Sequence, residues 1–492
     1  MLQAIFSFMP VLILYFGAMA SLALDFKKIL SKAFLLLLPA VSLLFAVTQL
    51  IPVPVALGHS NLLATTSNAF MVIVCMVVTC IMLVNGFGDF KDKNVERFYH
   101  VLLFLITGSI VGFLYSDNLF LIAMFVLATG IFISILKFIF PAIDKKMFNA
   151  LIAIFTTGFI SIIIGCLIIN NTAPGTDNQN LFLSTIDSTA VPALALFFLY
   201  SGMLLVFAAF PVSLIVHFGL HLKSHVSVKV FNVLFMAVLY WKYMQIYYAL
   251  NLSGPIFALV NFALGMGNII TGMSAIVREM AIRKERRIEV LVMSAYVIDF
   301  GIMLALYGVL GDVSGNPGYI ALIGAWDPIE IAIMLQILVT LATRILFVFA
   351  VKNIVKIFQS DIIEDMEGLK ASRPITLIGF IMGTTGSIYL GIFILDGVYP
   401  VASVLFLSSW MGLILFVVLF AVLIFTATWV AVSIAWIFGG KDLPVAVKNV
   451  QAASLKKENA TLVILIGLNA LLLFFVLVMP AMSFLNFMVP TA

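Results

Sequence analysis

Apolar runs long enough to cross a bilayer recur along the whole chain, and nothing else in the sequence constrains the fold as strongly. They lie near residues 4–24, 33–51, 68–85, 98–115, 119–140, 147–170, 189–222, 226–250, 255–277, 288–311, 329–351, 374–410, 411–438 and 461–486. A helix rises 1.5 Å per residue, so about 20 apolar residues match the hydrocarbon core. Of the 492 residues, 64% are hydrophobic and 10% are charged. A soluble chain carries roughly 25% charged residues, so no soluble fold hides this much apolar surface. The expected class is an all-α polytopic membrane protein with about fourteen transmembrane helices, in one membrane domain over 1–492.

The connections supply an orientation. One set holds the basic residues: Lys27, Lys28 and Lys32; Lys91, Lys93 and Arg97; Lys145 and Lys146; Lys223 and Lys229; Arg283, Lys284, Arg286 and Arg287; Lys352, Lys356, Lys370 and Arg373; Lys441, Lys448, Lys456 and Lys457. The alternate connections, VPVALGHSNLL, SDN, NNTAPGTDNQN, NLSG, GDVSGNPGY and LDGVYP, hold no Lys or Arg. By the positive-inside rule the first set is cytoplasmic and both termini lie outside. Ala18-Met19-Ala20 has the small residues of a cleavage site, but the basic residues follow the first apolar run instead of preceding it. That order is expected of a retained span, not a signal peptide. A net charge of +4 without a basic arm gives no reason to expect a nucleic-acid partner. Cys75, Cys80 and Cys166 sit inside apolar runs and are read as packing residues, with no metal or disulfide role.

Two long runs are interrupted. Phe210-Pro211-Val212-Ser213 and Tyr399-Pro400-Val401-Ala402 repeat an aromatic-Pro-Val-small pattern in the seventh and twelfth runs. Proline removes a backbone donor and clashes with the preceding turn, so each run is expected to kink or unwind there. Broken helices in corresponding halves of a transporter mark a pathway near the midplane; ordinary packing kinks are the alternative.

Ionisable residues within spans are few, and each costs a few kcal/mol unless paired or hydrated. Asp299 lies near the centre of the tenth run, Lys242 in the eighth and Arg344 in the eleventh. His217, His221 and His225 follow Pro211 at intervals of four, on one helix face. Lys242, Asp299, Arg344, His217 and His221 are the candidate ion-translocation residues, with Pro211 and Pro400 as hinges. For Arg344 the alternative is snorkelling to the cytoplasmic side, and for Lys242 a structural pairing with a carboxylate such as Asp299. His221 and His225 have a position at the cytoplasmic rim as theirs. Lys137, beside Pro141, reads as a helix-end anchor.

The ordered motifs resemble the antiporter-like subunits of complex I, of membrane-bound hydrogenases and of Mrp-type cation/proton antiporters. The family's E-x-x-Y-x-L-L-x-x-x-x-G stretch matches Glu96-Arg97-Phe98-Tyr99 through Gly108, and its F-P-F-H-x-W-L-P stretch matches FPVSLIVHF from Phe210. Its D-L-K-R-L-L-A-Y-S-S-I-x-Q-M-G stretch matches Glu285-Arg286-Arg287-Ile288 through Asp299-Phe300-Gly301. Its D-L-x-G-L-x-x-x-x-P-x-T stretch matches Asp365-Met366-Glu367-Gly368-Leu369 through Pro374-Ile375-Thr376. The match runs from about residue 96 to 410. It implies two broken helices and an inverted repeat of two five-helix units, over 96–250 and 255–438, flanked by 1–95 and 461–486. It also implies movement of protons or Na+ coupled to partner membrane subunits of a respiratory, hydrogenase or Mrp-like complex. Redox cofactors would sit on those partners, so none is expected in this chain, which would be at most a non-redox subunit of a pumping oxidoreductase in a prokaryotic inner membrane.

The sequence departs from the family's charge pattern. Leu127 stands where a fifth-span glutamate is expected, and Val206 where its seventh-span lysine partner is expected. Lys242 corresponds to the eighth-span lysine and Arg344 to the eleventh-span lysine. The twelfth-span lysine falls near Val401, with only Asp396 close by. Three readings follow: an ion-translocating subunit with an altered charge chain, a degenerate structural paralogue in such a complex, and a stand-alone secondary transporter.

Overall fold

In a computed structural model, the residues described are 2–24, 28–50, 66–87, 89–90, 92–140, 143–172, 181–209, 211–213, 225–252, 254–282, 286–314, 328–358, 360–366, 374–384, 409–439 and 456–478. They form fourteen α-helices, in chain order α1 (Leu2–Ala23), α2 (Ile29–Thr48), α3 (Thr66–Gly86), α4 (Lys93–Tyr115), α5 (Leu119–Ile139), α6 (Lys145–Thr172), α7 (Ala193–Val206), α8 (Val226–Ala249), α9 (Pro255–Val277), α10 (Ile288–Ser314), α11 (Pro328–Phe358), α12 (Pro374–Thr384), α13 (Trp410–Ile437) and α14 (Lys456–Val478). No sheet forms among the described residues; two isolated β-bridges occur. Among the described residues, ten helices are long and apolar enough to cross a membrane. The chain is a multi-pass membrane protein.

Helix starts follow local chemistry. Asp92 caps α4 by accepting the Asn94 amide at 2.8 Å, and Asn118 caps α5 through the Phe120 amide at 2.8 Å. Ser409 accepts the Gly412 amide at the start of α13, and Pro255 opens α9, where its missing N–H costs nothing. The seventh apolar run breaks earlier than its proline suggests. Helix α7 ends at Val206 after 14 residues, Ala208 adopts a left-handed φ of 50°, and Pro211 lies in the turn beyond. Fourteen residues rise about 21 Å, short of a ~30 Å hydrocarbon core. The left-handed alanine costs roughly 1 kcal/mol, so the interruption is built into the backbone before the proline is reached.

The chain divides into two compact units. One holds the described residues of Met1–Phe207 and Lys242–Asn251, the other those of Ala208–Trp241 and Leu252–Phe484. In the first unit α4 is the buried helix, and Tyr15 bonds Ser109 while Thr79 bonds Thr107 across neighbouring helices. The second is built around α10 and α11, both almost wholly buried, whereas α13 leaves Leu413, Val417, Phe420 and Ile424 exposed as an apolar stripe.

Helices α9 and α10 touch backbone to backbone. A Cβ on Gly265 would stand 2.6 Å from the Gly301 carbonyl oxygen, and one on Gly301 2.7 Å from the Gly265 oxygen. Gly272 and Gly308 are equally tight, against the Ser294 oxygen and the Phe262 amide. With no hydrophobic drive between helices in lipid, such small-residue seams provide dispersion contact at close range. The seam holds α10, the helix that carries Asp299, in a fixed rotation.

Candidate functional site

Asp299 and Arg344 meet. Arg344 Nε donates to Asp299 Oδ2 at 2.5 Å, and the two residues are 1% and 0% exposed, Arg344 being the 1%. Arg344 Nη1 also donates to the Gly383 carbonyl of α12 at 3.1 Å and approaches that of Thr384 at 3.4 Å. Arg344 therefore turns inward and does not snorkel. A guanidinium keeps its proton in proteins, so it is a fixed positive charge. Within this pair only the carboxyl of Asp299 can gain or lose a proton. Asn469 of α14 donates to the Ala342 carbonyl at 3.1 Å, packing α14 against the same stretch of α11.

The partners of Lys242 are not the carboxylate that its structural alternative called for. Its Nζ donates to the Leu114 carbonyl at 3.1 Å and to Gln245 Oε1 at 2.7 Å. Gln245 Nε2 in turn donates to Asn68 Oδ1 at 2.9 Å. These groups belong to the first unit, and the ammonium, 2% exposed, lies within electrostatic range of Asp117. The site opens into a cavity of about 220 Å³ lined by Asn68, Ser116, Asp117, Leu183, Ser184, Lys242 and Gln245. Ser184 donates to Asp117 through its amide at 3.2 Å and its hydroxyl at 2.5 Å, which fixes one wall. A buried ammonium facing a polar cavity can exchange protons with water that enters it.

A further ion pair lies in neither expectation. Lys229 belongs to α8, not to a loop, and its Nζ donates to Glu289 Oε1 at 2.6 Å with both side chains 8% exposed. The signal in the sequence was slight: each charge stands within the first turn of an apolar run, in VSVKVFNV and in RIEVLVM. Around it, Arg287 N donates to Glu279 Oε1 at 2.7 Å, and Arg286 N to Glu364 Oε2 at 3.0 Å. Lys137 is also buried, 1% exposed, so it does not reach a membrane surface as an anchor would. His217, His221 and Pro400 lie outside the described residues; His225 bonds Ser227 Oγ at 2.7 Å. Cys75 and Cys166 are buried thiols, and among the described residues no three His, Cys, Asp or Glu side chains gather as metal ligands.

No protein-family model matches the sequence, and no curated protein does. Solved structures do match. A chain of the Mrp complex from Dietzia sp. DQ12-45-1b superposes with a TM-score of 0.69 at 15% identity, over 100% of this chain and 98% of that one. A chain of the membrane-bound sulfane sulfur reductase, an archaeal respiratory membrane complex, superposes with a TM-score of 0.71 at 14% identity, over 99% of this chain and 96% of that one. The likeness is one of fold, and it runs the full length of both chains.

Proposed function

We propose that this chain is an ion-translocating, antiporter-like subunit of a multi-subunit membrane complex, and that it moves protons, or cations in exchange for protons, through buried charges in its two units. The observation that carries the reading is the Asp299–Arg344 pair, sealed from solvent in the middle of a spanning helix. Intramembrane charge is costly and is kept where it serves a pathway. The shared fold with chains of an Mrp complex and of a respiratory membrane complex supports the setting.

The chemistry divides between the two sites. Protonation of Asp299 cancels the charge that holds Arg344; the guanidinium then relies on the Gly383 and Thr384 carbonyls. Loss of that proton restores the pair. At Lys242 the same alternation occurs on an amine, with the Leu114 carbonyl and Gln245 accepting from the charged form. The cavity at Lys242 supplies access from the side of the Ser116–Asn118 loop, which the positive-inside rule puts outside.

An internal repeat belongs to this reading, and the two isolated bridges support it. Asn118↔Phe182 ties the α4–α5 connection to the segment before α7; Arg287↔Ile362 ties the α9–α10 connection to the segment before α12. In each half the link after the first helix pairs with the link after the third. The halves 96–250 and 255–438 then form the inverted repeat, in which α7, ending at Val206, and α12 hold equivalent places.

A structural paralogue is the second reading. It is favoured by α7, which carries no ionisable side chain but tyrosine, and by α5, whose one charge is Lys137. Proton and Na+ flux in sealed vesicles carrying the native complex separates the two, comparing wild type with Lys242→Ala and Asp299→Asn at equal assembly. Collapse of flux in an intact complex supports translocation through these residues; full flux in both variants makes them structural.

A further inference from the structure

The face of α10 that carries Asp299 also carries two buried polar groups that the pairs above leave idle. Glu289 Oε2, the oxygen turned away from Lys229, accepts no hydrogen bond from any described group, and neither does the hydroxyl of Tyr296, a residue with 0% exposure. Residues 289 and 296 are seven apart, nearly two full turns, so they lie on one stripe; Asp299 is three residues further, on the adjoining edge of the same face. The Tyr296 ring lies within electrostatic range of Glu289, Asp299 and Arg344. The rise from Glu289 to Asp299 is about 15 Å, with Tyr296 between them.

Buried polar atoms without a protein partner are where proteins hold bridging water, and an apolar side chain would be the cheaper occupant of such a position if only packing were required. Phenylalanine would fill the place of Tyr296 without stranding an oxygen. Glu289 lies at the first turn of α10, beside the Arg286–Glu364 and Arg287–Glu279 contacts, and faces Lys229, Arg287 and Asp361.

We infer that Glu289 and Tyr296 form a proton relay that loads Asp299 from the end of α10 where the basic connections lie. This rests on the translocation reading above and deepens it. Glu289, protonated from that side, gives its proton to bridging water. Tyr296 takes one proton on its oxygen and releases its own to the Asp299 carboxylate, ending as a neutral phenol. Glu289 ends as a carboxylate against Lys229, Asp299 as a neutral acid released from Arg344, and one proton has moved.

Tyr296→Phe is the decisive variant, because it removes an oxygen that bonds no described group and is expected to leave folding and assembly unchanged. Proton flux is measured in sealed vesicles holding the whole complex, normalised to assembled complex, for Tyr296→Phe, Glu289→Gln, Glu289→Asp and Asp299→Asn. The relay predicts a loss of about a hundredfold in Tyr296→Phe and Glu289→Gln, the lower end of what a positioned proton-transfer group contributes, and partial recovery in Glu289→Asp. Wild-type flux in Tyr296→Phe alongside collapse in Asp299→Asn overturns the relay and leaves the translocation reading standing. Wild-type flux in Asp299→Asn as well overturns both.

Discussion

Arg344 donates to Asp299 from the next helix of the same unit, and neither side chain retains contact with solvent. Removing one partner from such a pair strands a charge in low dielectric, which costs about 3–5 kcal/mol, whereas replacing both with apolar residues of similar size is near neutral. Asp299→Ala and Arg344→Ala are each expected to lower the thermal stability of the purified complex strongly. The double variant Asp299→Leu/Arg344→Met is expected to regain most of it while carrying no flux. Thermal unfolding of the three variants beside wild type checks this, and additive losses in the double variant would contradict it.

The second buried pair gives a graded contrast. Lys229→Met leaves Glu289 with an unpaired charge and is expected to cost about 3–5 kcal/mol. Arg286→Ala breaks a contact whose side chains are 25% and 28% exposed, and it is expected to cost no more than about 1 kcal/mol. Denaturation of the two variants in the same detergent measures the difference directly.

The proposed access to Lys242 has a side. In a Cys80→Ala background, Ser184→Cys on the cavity wall is expected to react with a membrane-impermeant maleimide added outside. Asn94→Cys, exposed at the start of α4, is expected to react only when the cytoplasmic face is opened. Labelling of both from one side would remove the orientation given by the basic connections.

At the α9–α10 seam, Gly265→Val and Gly301→Val force backbone atoms apart, since a single Cβ already falls within 2.6 and 2.7 Å of the facing carbonyl oxygens. Both variants are expected to reduce the yield of assembled complex several-fold. Gly467→Ala in α14, where a Cβ meets nothing within 4 Å, is expected to leave it unchanged. Quantified complex from matched membranes is the measurement.

Hydropathy alone located most helices to within a few residues: 98–115 became Lys93–Tyr115 and 255–277 became Pro255–Val277. That follows because bilayer thickness dictates both the length and the composition of a span. Asp299, Lys242 and Arg344 stood out for the same reason, as charges in long apolar runs. Their pairing did not, because it depends on helix rotation, which no periodicity encodes when a helix is apolar on every side, as α10 nearly is. Asp299 bonds Arg344, while Lys242 is held by an amide and a carbonyl that carry no charge signal in the sequence. Lys229 and Glu289 were hidden among the charges of a predicted cytoplasmic rim. The early end of α7 was hidden too, because the left-handed residue there is an alanine and not the glycine that usually marks such a turn.

The interlocked glycines of α9 and α10 also bear on how any transport cycle works. Many switching proteins ratchet one helix past another by a turn, some 5.4 Å. Here such a step would drive side chains such as Phe262 and Ile269 into main chain that now lies against bare Cα atoms. Helix α10 is thus a stationary post. Under the proposed translocation, what alternates along it must be small: protons, water, a carboxyl turning over, a guanidinium trading one oxygen for another.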